Sequence, residues 1–264
     1  MNMNKIAFCF LIYDCINHEE IWNIFFHNVD SSKYNIYIHY KLNTPLKYFE
    51  QYKLKNCIET KYNHISLVKA QNVLLEEAFK DTNNKHFIFL SNSCVPFKPF
   101  YHVYNTLKEE YSYFNIAPHS TCFPRCNSIL QHIEKQYIQK AGQWCILNRK
   151  HASLMLNKNE YIQWFNNTSA PDEHCYITNI HLHNLQNELI TTPNLPDGAT
   201  TFTNWSDMNY KYPCKIGLMN YKTISEEEIQ HLLNSKCLFG RKFTTECLDL
   251  LSSKIYTDRI KSTE

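Results

Sequence analysis

The run PDEH, Pro171 to His174, places two carboxylates, Asp172 and Glu173, directly after a proline. An ionised carboxylate held at the end of a rigid element can accept a proton from a hydroxyl, which makes Glu173 a candidate general base. The same residues also read as ordinary helix-start chemistry. Proline favours the first helical position, and acidic side chains there complement the helix dipole by roughly 0.3–1 kcal/mol. A second set is cationic: Lys222, then Arg241 and Lys242 inside FGRKF. Arginine grips phosphate as a fork and lysine as a point charge. Basic residues near a helix end are often merely solvated, but Phe239 and Phe243 frame this pair and would position at least one head group. Trp144 in GQW and Trp205 in NWSD fall at expected strand ends, where a flat ring can stack on a sugar face, although a lone tryptophan is more often core.

Several chemistries are excluded. With four glycines there is no GxGxxG or GxxxxGK[ST] phosphate loop, and no GxSxG nucleophile elbow occurs. No DxD triplet is present to hold a divalent metal on a diphosphate, so lysine and arginine would have to neutralise one. The eleven cysteines include no CxxC, and HLH at 181–183 does not put two imidazoles on one helix face, so no metal site is expected. An odd cysteine total without a secretion signal points to mostly reduced, buried thiols. A net charge of +2 argues against nucleic-acid binding by bulk electrostatics.

The elements that must hold these residues alternate. IAFCFLIY (6–13) follows Lys5, is too short to span a bilayer, and reads as a buried first strand. Helical spacing follows over 19–29, strand alternation over 34–40, an amphipathic helix over 66–81, a buried strand over 86–91 and a helix over 100–111. This order predicts an open α/β sheet, whose ligands collect at the carboxyl ends of its strands. The stretches 14–18 and 92–97 follow two such ends. Later segments read as a strand running into a helix (142–156), a helix from Pro171 to 185, a strand and turn (200–207), and a helix opened by a capping box of Ser225 and Glu228.

In order along the chain, five segments resemble the core-2/I-branching β-1,6-N-acetylglucosaminyltransferases, glycosyltransferase family 14, and most of all its plant branch. FLSNSCVPFKPFYHVY is similar to LLSxSCxPLxxFxxVY, and AGQWCILNRKHA to GSQWxxxxRxxA. PDEHCYITNI carries the family's PDEH, TFTNWSD resembles its VDWS stretch, and YKTISEEEIQHLLNSKCLFGRKF resembles PKTxTEEDxxxIxxSxxLFARKF. The resemblance implies one α/β domain of GT-A type over 1–264, with a mixed sheet. A Rossmann-like donor-binding half would span about 1–115, and an acceptor and catalytic half about 116–264. It also implies an inverting, metal-independent transfer from a UDP-sugar, with no cofactor, to a hydroxyl of a glycan acceptor. Glu173 would be the base, and Lys242, Lys222 and Arg241 would hold the diphosphate. Trp205 would stack on the acceptor, with Asp207 standing where an aromatic is expected two residues on. Trp144 and Asp172 would complete the sugar-binding surface. UDP-GlcNAc is the expected donor, with UDP-xylose and UDP-glucuronic acid as alternatives. The competing reading is a catalytically inactive, carbohydrate-binding relative. Without an anchor the chain is expected to act in the cytoplasm or in a virus- or microbe-associated setting, or in the Golgi lumen if it is part of a longer protein.

Overall fold

β1 (Lys5–Ile12) is apolar at nearly every position because both faces of its sheet are covered. The computed structural model describes residues 4–122, 126–157, 159–191 and 200–261. Strand geometry divides β1: Ile6, Phe8, Phe10 and Ile12 enter one core, and Ala7, Cys9 and Leu11 the other. α1 (Glu19–Phe26) presses Trp22, Phe25 and Phe26 onto the first face. β2 (Tyr34–Tyr40) follows, and α2 (Ser66–Phe79) covers the second face with Val68, Ala70, Leu74 and Ala78. β2 and β3 (Asn84–Ser91) flank β1, both parallel to it. The two connections therefore run over opposite faces, and the carboxyl ends of β1 and β3 open a crevice, the usual ligand position in such a sheet.

Beyond β3 the sheet becomes mixed. β4 (Val95–Pro96) leaves it, and α3 (Phe100–Thr106) leads to β5 (Ser112–Phe114). β6 (Ile146–Asn148) lies antiparallel between β3 and β5 and runs into α4 (Arg149–Leu156). α5 (Asn159–Gln163), α6 (Cys175–Leu182) and β7 (Leu189–Thr191) follow, giving the order β2-β1-β3-β6-β5-β7. A second sheet, β4-β9-β8, pairs β4 with β9 (Phe239–Arg241) antiparallel and β8 (Thr201–Thr203) with β9 parallel. Phe97, Phe202, Leu232, Phe243 and Tyr256 build its core with α7 (Glu226–Asn234) and the C-terminal helices α8 (Asp249–Ser252) and α9 (Lys254–Ile260). Gly240 is required here: a Cβ would stand 2.2 Å from the Phe97 ring. Among the described residues no helix is long and apolar enough to cross a membrane. All eleven cysteines are free thiols, nine of them buried.

The α/β alternation and mixed sheet match the sequence reading, with three local differences. α3 stops at Thr106 because the Tyr113 hydroxyl donates to the Thr106 carbonyl at 3.1 Å and accepts from Lys108 N–H at 2.9 Å, turning the chain toward β5. Only half of the capping box forms: Ser225 accepts from Glu228 N–H, while the Glu228 side chain accepts from the buried Tyr221 hydroxyl at 2.7 Å. The expected helix from Pro171 to 185 is broken. Pro171–Glu173 form a single 3-10 turn, and α6 begins only at Cys175. The cause is a diverted carbonyl. Glu173 C=O accepts from Ala141 N–H at 2.8 Å instead of continuing the helical ladder.

Candidate functional site

A cleft of about 520 Å³ opens at the carboxyl ends of β1 and β3. Six of the eight residues singled out from the sequence line it: Trp144, Asp172, Glu173, Trp205, Arg241 and Lys242. The Pro171–Glu173 turn brings in the carboxylates. β9 and the residue after it bring in the cations.

Glu173 is partly exposed, and its Oε2 lies 3.4 Å from the Lys140 ammonium. Asp172 sits deeper. Its Oδ1 is buried without a hydrogen-bond partner among the described residues, and its carboxyl pKa is pushed up to about 6. Burial is the main cause. Its own N–H pulls the pKa down, the Glu173 charge pushes it up, and Arg241 pulls it down. Two adjacent carboxyls thus occupy different environments.

Arg241 is half-buried, with its guanidinium carbon 4.9 Å from the centre of the Trp144 ring. One face of Trp144 is therefore occupied by a cation, an arrangement worth roughly 0.5–2 kcal/mol, rather than standing free for a sugar. Burial lowers the Arg241 pKa, opposed by Cys94, Glu173 and Asp172. Burial likewise lowers that of Lys242, and repulsion from Arg241 adds to it. Both directions are those of cations held close together in a partly buried site, where burial outweighs the attraction of the nearby acids.

The backbone at Lys242 is fixed from three sides. Its carbonyl accepts from Tyr221 N–H at 2.7 Å, and Phe243 N–H donates to Ser93 C=O at 3.0 Å. The Asn17 amide donates to Phe243 C=O at 2.8 Å, and Asn92 in turn donates to Asn17 at 3.0 Å. The segments after β1 and β3 thus hold the backbone on either side of Lys242 in place.

Lys222 and Asp207 lie outside the cleft wall. Tyr221 is buried, stacked on Phe243 with ring centres 4.8 Å apart, so the next residue turns to solvent. Lys222 there pairs with Glu246 at 3.1 Å on an exposed surface, a contact worth about 0–1 kcal/mol. Asp207 is exposed in the turn closed by Met208 N–H on Trp205 C=O. Trp205 itself is 42% exposed and borders the cleft.

The cleft also holds residues that sequence reasoning passed over. Tyr13 and Lys41 stand just beyond β1 and at the end of β2, with the Lys41 ammonium 5.2 Å from the Tyr13 ring centre. Their place at strand carboxyl ends was a usable signal. Thr60, Lys61, Tyr62 and Asn63 come from an irregular stretch and gave none. Lys140, which touches Glu173 from outside the cleft wall, gave none either. Among the described residues no group of three or more His, Cys, Asp or Glu side chains is placed to share a metal ion.

The fold and cleft define an α/β protein with two carboxyl side chains and two cationic ones gathered at the carboxyl ends of the sheet's strands. The sequence profile of the Core-2/I-Branching enzyme family matches residues 6–233, and the chain belongs to that family. It is 24% identical over 219 residues to Glycosyltransferase BC10 of Oryza sativa subsp. japonica, covering 70% of this chain and 55% of the rice protein. The chain thus spans about half the length of that curated relative. A solved structure of an active-site mutant of LgtC aligns with a TM-score of 0.46 and 6% identity, over 89% of this chain and 86% of that one.

Proposed function

We propose that this protein is an inverting glycosyltransferase of GT-A type that moves a sugar, GlcNAc in the first instance, from its UDP-sugar to a hydroxyl of a glycan acceptor. The observation that carries the reading is the meeting of Glu173 and Asp172 with Arg241 and Lys242 in one cleft at the carboxyl ends of β1 and β3. The acceptor hydroxyl gives its proton to Glu173 as its oxygen forms the new bond to the anomeric carbon. The bond from that carbon to the diphosphate oxygen breaks on the opposite face, and UDP leaves with the electron pair. Lys242 and Arg241 stabilise the charge that develops on the departing diphosphate, so the reaction calls for no divalent metal. Lys140 stands beside Glu173, its ammonium 3.4 Å from Oε2. Trp205 offers an apolar ring at the cleft mouth to the acceptor.

The test is UDP release by purified protein in EDTA, with UDP-GlcNAc, UDP-xylose, UDP-glucuronic acid, UDP-glucose and UDP-galactose. Release from one donor, cut about 100-fold or more in Glu173→Gln with UDP affinity retained, is the expected result. Loss of activity in EDTA that returns with a divalent metal would sink the metal-free mechanism. Failure to bind UDP at all would sink the transferase reading.

A further inference from the structure

Between β2 and α2, residues 56–65 form neither helix nor strand, yet Thr60 to Asn63 line the cleft. Asn63 reaches from this stretch to the turn that carries Glu173. Its Oδ1 accepts from the Ser169 hydroxyl at 3.2 Å and from Ala170 N–H in a short contact. Both Asn63 and Ala170 hold left-handed backbone conformations, with φ of 55° and 50°. Asparagine visits that region readily, whereas alanine does so only where its surroundings impose it. Ala170 is also the residue from which the catalytic turn is built, because its carbonyl accepts from Glu173 N–H at 3.0 Å. Asn63 therefore holds the N–H of the residue whose carbonyl holds Glu173.

We propose that Asn63 is a positioning residue for Glu173. Its side-chain oxygen keeps Ala170 left-handed and so aims the Pro171–Glu173 turn into the cleft. This rests on the assignment of Glu173 as the base. It gives the 56–65 stretch a second role besides forming wall.

Two substitutions separate the oxygen from the backbone geometry. Asn63→Gly keeps access to positive φ but removes the oxygen. Asn63→Asp keeps an accepting oxygen at the same reach. UDP release from UDP-GlcNAc and hydrogen–deuterium exchange at the amides of Ala170 to His174 are measured for both, for the unsubstituted chain, for Glu173→Gln, and for Asn63→Gly combined with Glu173→Gln. Asn63→Gly should lower turnover about fivefold to tenfold, leave UDP affinity within twofold, and speed exchange at Ala170 and Glu173 at least fivefold. Asn63→Asp should restore both readouts to within twofold, and Asn63→Gly should cost less than twofold in the Glu173→Gln background. Unchanged exchange and turnover in Asn63→Gly overturn the proposal, as does an Asn63→Asp protein no better than Asn63→Gly. Wild-type turnover in Glu173→Gln overturns the base assignment instead, a different result from either of these. Exchange reads the turn directly, so it decides the hold of Asn63 on Ala170 without any donor being turned over.

Discussion

Asp172→Asn isolates the electrostatic cost of the cleft, because asparagine reproduces the shape of the neutral acid and cannot ionise. The Asp172 carboxyl, pushed up from 3.8 to about 6 mainly by burial, holds its proton more tightly in the folded than in the unfolded chain. The sign follows from linkage. Below 3.8 both states are protonated and the residue contributes nothing; between 3.8 and 6 the unfolded chain ionises first and stability falls; above 6 both are ionised and the full penalty stands. The two pKa values fix its size. The penalty is about 1.5 kcal/mol at pH 5 and about 3 kcal/mol at pH 8. Asp172→Asn should therefore be the more stable protein at neutral pH. For a chain of this size each kcal/mol moves Tm by about 2 °C, giving a gain of about 3 °C at pH 5 and about 6 °C at pH 8. The assay is thermal unfolding of both proteins at half-unit steps from pH 5 to 8, read by circular dichroism. A gap that does not widen as pH rises, or a substituted protein less stable at pH 8, would refute the claim that Asp172 ionises against burial. Such stored cost is characteristic of binding sites, where a ligand's hydroxyls can bond a carboxylate oxygen the fold leaves without a partner.

Lys242→Ala should weaken UDP binding about 10-fold to 100-fold, the loss of a charge-assisted contact to phosphate, while Lys222→Ala should change it less than twofold; titration calorimetry decides. Equal losses from the two would overturn the placement of Lys222 outside the cleft. Gly240→Ala should destabilise by about 1–3 kcal/mol, since its Cβ would lie 2.2 Å from the Phe97 ring, and denaturant unfolding with an unchanged midpoint would refute that packing argument.

What the sequence disclosed, it disclosed through local pattern. β1, β3 and α2 were legible because a doubly covered strand is apolar throughout and an amphipathic helix repeats its apolar positions, both within a few residues. Arg241 and Lys242 were legible through their apolar frame, since Phe239 and Phe243 enter one core or another and leave the intervening charges a fixed direction. Lys222 falls outside the cleft wall for the complementary reason. Its direction is set by Tyr221, which is pinned by the Glu228 carboxylate, by the Asn204 amide at 3.0 Å, and by the carbonyl of Lys242. None of those partners is visible from the residues beside Lys222. Trp144 shows the same limit, because its ring faces an arginine far along the chain.

The PDEH run shows how the two readings met at the outset combine. Helix-start chemistry predicts that Glu173 belongs to a continuous helix and that its carboxylate serves the dipole. The structure instead interrupts the ladder at that residue: the Glu173 carbonyl goes to Ala141, and His174 Nδ1 bonds to Gln139 C=O at 2.9 Å. A helix beginning smoothly at Pro171 would need neither contact, nor a left-handed Ala170 in front of it. These departures cost backbone regularity, yet each fixes the one turn that presents Glu173 to the cleft. Where local rules are broken and the breaks converge on a single carboxylate, placement of that carboxylate is the economical explanation, and the exchange experiment on Ala170 to His174 addresses it directly.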